Sequence, residues 1–197
     1  MRGAVPKTAL LCVPALLLAL LCLASTDGIE LAFHKQVESY SCGAACLQSL
    51  LEYWGVEADQ RTILDKTPPR NRSTGYTVGE LKDIAAGTGL QAFGITGNIN
   101  FLEGQLTKKR PVMVPIMISY NEYRMQFAAR APLVGPAYET LKNVAILEYS
   151  HFVLVMEVDE DSVRVLDPMY GKVRIPRPRF EQMWAKRENA MLLVASR

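Results

Sequence analysis

The chain has 197 residues, with 22 basic and 20 acidic side chains, a formal net charge of +2, four cysteines and two histidines. A balance this close to neutrality excludes a partner recruited by long-range electrostatics, nucleic acid above all; the basic runs at 108–110 and 174–179 read as solvated faces. The length allows one domain with a substantial core and gives no reason to expect a second.

Residues 1–7 carry Arg2 and Lys7 with no acid, and residues 8–24 are almost wholly apolar. That is the layout of a secretory signal, with cleavage expected after Ala24, where Ala24, Ser25 and Thr26 are small. The apolar run is shorter than the roughly 20 residues needed to span a bilayer, and Pro14 interrupts it. A membrane would be met only through this segment, if it stayed uncleaved. The expected organisation is a signal peptide at 1–24 and one domain at 25–197, periplasmic or secreted.

Cleavage leaves two cysteines, Cys42 and Cys46, in a compartment that permits disulfides. Residues 46, 47, 50, 51 and 54 are apolar at three- and four-residue spacing, which predicts a helix over 42–54 capped by Ser41 and ended by Gly55. One turn apart on a helix, the two Cβ atoms sit about 5–6 Å apart, against about 3.8 Å in a disulfide. Free thiols are therefore expected, with Cys46 a small buried apolar residue. Cys42 falls in the first turn, where unpaired N–H groups and the helix dipole favour a thiolate. Gly43 would leave the approach to its sulfur open to an extended substrate.

Thr77 and Glu80 have capping-box spacing and open a short helix closed by Gly87 or Gly89. Asn100 and Glu103 repeat that signal. Strands are expected over 111–118, 151–158, 163–166 and 172–175, then a short helix over 180–186 and a last strand over 191–195. Helices first and antiparallel strands after make an α+β domain, with a cleft between the helix bearing Cys42 and the sheet bearing His151.

A thiol nucleophile needs a cation to lower its pKa and a base to move the leaving-group proton. Cys42, His151 and Asp167 can supply those parts, and Gln36, six positions before Cys42, offers an amide N–H toward a developing oxyanion. His34 has no comparable support and reads as a surface or groove residue. Two cysteines one turn apart, with no second paired motif, argue against a zinc site; neither metal nor cofactor is expected.

The Gln36 spacing, the Cys42-Gly43-Ala44-Ala45-Cys46-Leu47 helix start, the His151-Phe152-Val153-Leu154-Val155 strand and Asp167-Pro168 stand in a specific order and spacing. With them, the chain from 33 to 194 resembles the bacteriocin-processing cysteine peptidases, papain-like domains that cut leader peptides after a double glycine. The resemblance implies a papain-like fold, with N-terminal helices packed on an antiparallel sheet. It also implies Cys42 as nucleophile, His151 as base and acid, Asp167 as orienter of the imidazole and Gln36 as oxyanion donor. Many members of that family form the front end of an ABC exporter on the cytoplasmic side, whereas the signal here directs the domain outward. The partner implied is a peptide or protein, such as a component of a secretion system or the subunit of an extracellular fibre. Residues 119–149 form a long stretch ahead of His151, expected to be partly helical and to border a substrate groove. Two other readings stay open: an amidase of cell-wall peptides, and a binding module that holds an export substrate without cutting it.

Overall fold

The computed structural model describes residues 29–119 and 148–196. The expected signal segment, its expected cleavage site and almost all of the 119–149 stretch lie outside the described residues. Among the described residues, the chain order is α1 (Cys42–Tyr53), α2 (Gln60–Lys66), α3 (Val78–Gly87), β1 (Gln91–Thr96), α4 (Ile99–Thr107), β2 (Val112–Ser119), β3 (Glu148–Val158), β4 (Ser162–Asp167), β5 (Gly171–Pro176), α5 (Arg177–Ala185) and β6 (Ala190–Ala195). The strands form one antiparallel sheet in the order β1-β6-β2-β3-β4-β5.

Alternation along β3 divides the core. Phe152, Leu154 and Met156 join Cys46, Leu47, Leu50 and Leu51 of α1 and Leu81 and Ala85 of α3 on one face. Val153 and Val155 join Leu102 of α4 and Phe180, Met183 and Trp184 of α5 on the other. A strand buried on both faces reads as a continuous apolar run, which is why β2 and β3 were legible without alternation. The α+β class and the antiparallel sheet hold. Helices, however, cover both faces: α4 and α5 pack behind the sheet, opposite α1.

Pro115 sits inside β2 opposite Phe152. A proline in a sheet needs a side where its missing N–H is not called on; β6 pairs with β2 only at Val112 and Met113, so that side is available at 115.

Several local expectations change. The Thr77–Glu80 capping box is present, with side chain and backbone bonded both ways, and Gly55 takes a left-handed φ of 77° just past the end of α1. The cap of α4 is Asn98, which accepts from the Phe101 N–H at 2.9 Å, so Asn100 lies inside the first turn rather than before it. Ser41 occupies the N-cap position of α1 but makes no side-chain bond to the helix. Its hydroxyl closes a turn with Glu38 instead, accepting from Glu38 N–H at 2.9 Å and donating to Glu38 C=O at 3.0 Å. Gly43 faces the core: a Cβ there would meet Leu81 at 3.1 Å and Tyr76 at 3.2 Å, so it serves helix packing rather than substrate access.

Cys46 is 2% exposed and packs with the α1 face as expected. Its thiol also donates to the Phe152 carbonyl at 3.4 Å. Replacing it with alanine removes a sulfur from the core and leaves a buried carbonyl without that donor. Cys46→Ala is expected to lose about 1–3 kcal/mol of stability, read as a lowered midpoint in denaturant, with Cys42 still alkylated by iodoacetamide at the wild-type rate.

Candidate active site

The site begins with the way β4 ends. Leu154 pairs with Leu166, and continuing that register sets Asp167 opposite Val153 and Pro168 opposite Phe152. Proline has no N–H to donate, so the ladder stops there. The peptide groups of Phe152 are then left to other partners, and α1 provides them. The Phe152 carbonyl accepts the Cys46 thiol, and the Phe152 backbone hydrogen-bonds to the Cys42 sulfur. Two cysteines one turn apart thus occupy the place that a further β4 residue would have taken.

The same register explains the 16-residue spacing from His151 to Asp167. With Asp167 opposite Val153, His151 is its diagonal neighbour on the same face, within reach of a long side chain. His151 Nε2 lies 3.0 Å from Asp167 Oδ2, and the two residues are 1% and 0% exposed. The carboxylate is held from its other oxygen: Asp167 Oδ1 accepts from Met169 N–H at 2.7 Å and Tyr170 N–H at 3.2 Å, closing the turn into β5. Tyr149 packs edge-on to the imidazole, with centroids 6.5 Å apart.

With Nε2 committed to Asp167, the hydrogen bond between His151 and Cys42 falls to the remaining ring nitrogen, Nδ1. The imidazole therefore bridges a carboxylate and a sulfur. Burial by itself would push the Cys42 thiol up, but the hydrogen bond and charge of His151, with the backbone of Phe152 and Gly43, outweigh it and hold the thiol below its ordinary value. Burial likewise opposes the charge on His151, and the Asp167 carboxylate and the Cys42 sulfur together raise it to about 10. Cys46 has no such cation. Burial, then the charges of Cys42 and Asp167, drive its thiol well above the ordinary value, so the two cysteines are chemically distinct although both are free and buried.

Gln36 lies next to this group without joining it through its side chain. Its backbone N–H donates to the Pro168 carbonyl at 2.9 Å, tying it to the Asp167 turn. Its Nε2 donates to Glu38 C=O at 3.0 Å, and its Oε1 is buried with no hydrogen-bond partner. An amide nitrogen has two hydrogens, so one N–H remains beyond the bond to Glu38. His34 is half-buried, with Nε2 at 2.6 Å from Glu52 Oε2, on the α1 side of the same segment. Sequence reasoning missed Gln60 and Gln48, buried amides that hold this segment. Asp59, which caps α2 through Thr62 N–H at 2.9 Å, was the signal that would have located that helix. Among the described residues, no group of three or more His, Cys, Asp and Glu side chains is arranged to hold a metal ion.

The fold has clear relatives of known structure. A C39-like peptidase from Bacillus anthracis superposes with a TM-score of 0.63 at 19% identity, over 87% of this chain and 98% of that one. The peptidase domain of Streptococcus ComA, a bifunctional ABC transporter involved in a quorum-sensing pathway, gives 0.61 at 15% identity over 86% and 99%. A double-glycine motif protease from an AMS/PCAT transporter, solved with its leader peptide, gives 0.57 at 17% identity over 88% and 96%. At such identities these likenesses speak for the fold. No curated protein matches the chain. The sequence model of the peptidase C39-like family matches residues 29–191, almost the whole of the described chain from the first described residue to β6, and this chain belongs to that family.

Proposed function

We propose that this chain is an exported cysteine peptidase that cuts a peptide or protein through a thioester on Cys42. The observation that carries the reading is the buried His151, bonded through Nε2 to Asp167 at 3.0 Å and hydrogen-bonded to a Cys42 sulfur whose thiol is held below its ordinary value. A structural histidine on an apolar strand needs one partner; this one has a carboxylate on one side and, on the other, a sulfur whose thiol pKa is lowered.

In this mechanism the Cys42 sulfur, already a thiolate beside an imidazolium, attacks the scissile carbonyl carbon. The carbonyl electrons move onto oxygen, where the second N–H of the Gln36 amide receives them. The Cys42 backbone N–H, at a first-turn position with no intrahelical acceptor, is a second donor. His151 then gives its proton to the leaving amine as the C–N bond breaks, leaving a thioester. Neutral His151 takes a proton from water, the hydroxyl oxygen attacks the thioester, and the acid leaves with the Cys42 thiolate restored and His151 protonated again. Asp167 keeps the ring oriented and stabilises its charge throughout.

Family membership supports a peptide substrate, and the transporter protease solved with its leader peptide indicates a Gly-Gly-like site as the first to test. Export rests on the basic and then apolar start of the sequence. We infer a component of a secretion system or an extracellular fibre subunit as the substrate of an outward-facing enzyme of this family.

Cys42→Ala is expected to lower hydrolysis of a fluorogenic peptide amide ending in Gly-Gly by about 10⁴-fold or more. Its circular dichroism and melting should stay those of the wild type, and turnover surviving the substitution would remove Cys42 from the chemistry. The charge states predict a pH window. The thiolate forms as pH rises through a Cys42 pKa below the ordinary value, and His151 stays protonated until pH approaches about 10. Iodoacetamide should therefore alkylate Cys42 well below the pH of an ordinary thiol, about 8.5. In His151→Ala only burial is left to act on the thiol, together with two backbone contacts, and the alkylation profile should move to higher pH. Asp167→Asn removes the main charge holding the imidazolium, so the alkaline limb of peptide hydrolysis should move to lower pH. A wild-type alkylation profile that follows a free thiol would refute the ion pair.

A further inference from the structure

The segment that carries Gln36 belongs to no helix or strand, yet its backbone is bonded on both sides. On one side Gln36 N–H reaches the Pro168 carbonyl. On the other, the side chain of Gln60 accepts from Val37 N–H at 3.1 Å and donates to Lys35 C=O at 2.8 Å. In extended chain the carbonyl of one residue and the N–H two residues on point the same way, and a parallel strand partner would bind both with the N–H and C=O of one residue. The Gln60 carboxamide, whose oxygen and cis N–H point the same way, takes that role and grips the two residues flanking Gln36.

Gln60 is itself fixed. It is 6% exposed, it opens α2, and its own backbone N–H donates to Gln48 Oε1 at 3.0 Å. Gln48 donates in turn to Glu52 Oε1 at 3.0 Å, one turn along α1, and the other oxygen of Glu52 meets His34. The chain of contacts runs from the helix that bears Cys42, through Gln48 and Gln60, to the backbone around Gln36. Distance between the sulfur and the Gln36 amide is thereby set within one hydrogen-bonded unit. We propose that Gln60 is a positioning residue that holds Gln36 where its amide can receive the oxyanion, an inference that rests on the reading of Gln36 as that donor.

Two reactions of the same sulfur separate this role from general support. Iodoacetamide alkylation forms an S–C bond and expels iodide, with no oxyanion, so it reads the thiolate alone. Acylation by p-nitrophenyl acetate joins the sulfur to the acyl carbon and expels p-nitrophenolate through a tetrahedral oxyanion, so it reads thiolate and donor together. Both are measured on the full chain, with Cys42→Ala as the blank. Gln60→Leu should slow acylation about tenfold or more while leaving alkylation within about twofold of wild type. Gln60→Glu, which keeps the acceptor for Val37 and loses the donor to Lys35, should fall between the two. Added to Gln36→Ala, Gln60→Leu should slow acylation no further.

The proposal is overturned if Gln60→Leu slows both reactions alike, or if it slows acylation as much without Gln36 as with it. It is also overturned if Gln36→Ala slows acylation while the Gln60 variants do not. Wild-type acylation in Gln36→Ala would instead overturn the oxyanion reading beneath it. Should Gln60→Leu fail to fold, the acylation-to-alkylation ratio of Gln60→Glu decides, and an unchanged ratio rejects the role.

Discussion

The architecture of the site depends on where one β-ladder stops. Strand β4 pairs with β3 up to Leu166, and in the continued register Pro168 falls opposite Phe152 with no N–H to donate. That single missing donor leaves the Phe152 peptide groups to the start of α1, so the helix meets the sheet at its two cysteines rather than at random apolar side chains. The proline also turns its own carbonyl toward Gln36. One residue thus separates the sheet from the helix and joins both to the N-terminal segment.

Electrostatically the arrangement is a buried imidazole between a carboxylate and a sulfur, with the His151 pKa raised by both and the Cys42 thiol lowered by His151. Removing ions from water is costly, and a pair in the interior is retained only when geometry and additional hydrogen bonds compensate. Here the Asp167 carboxylate is bonded by His151 and by the Met169 and Tyr170 N–H groups, the imidazole meets Asp167 and Cys42, and the sulfur has backbone contacts from Phe152 and Gly43. Ser41 contributes by turning away. Its hydroxyl serves Glu38, so the first-turn N–H groups of α1 are not taken up by a side-chain cap. Cys46, one turn on and deprived of a cation, is driven in the opposite direction by the same burial. Location relative to one imidazole, not exposure, distinguishes the two thiols.

Around this charged group the scaffold is polar on one side and apolar on the other. Phe152, Leu154, Leu50 and Leu51 weld α1 to the sheet, while Gln48, Glu52 and Gln60 bind the segment from His34 to Val37 by hydrogen bonds alone. An apolar seam fixes a helix against a sheet over its whole length. Holding an irregular segment requires directional bonds to its backbone, because each peptide group left unpaired in a buried place is costly.

The sequence by itself determined the class of the fold and singled out three residues that the structure brings together, Cys42, His151 and Asp167. Long apolar runs mark β2 and β3, helical spacing marks α1, the Thr77 capping box marks α3, and Cys42, His151 and Asp167 stand in the order and spacing that carry the resemblance to the bacteriocin-processing peptidases. Those signals are local or depend on spacing along the chain. The helix α2 and the edge strand β1 escaped, since α2 has seven residues with only Gln60 and Ile63 buried, and β1 contains Gly94 and exposes Phe93. Only tertiary structure decided the cap of α4, the core-facing role of Gly43, the helices on the far face of the sheet and the clamp on Gln36. In each case the deciding partner is remote along the chain or the choice lies between two residues of equal propensity. A pattern in sequence records what a residue is able to do; which group it meets depends on register and packing that no local pattern contains.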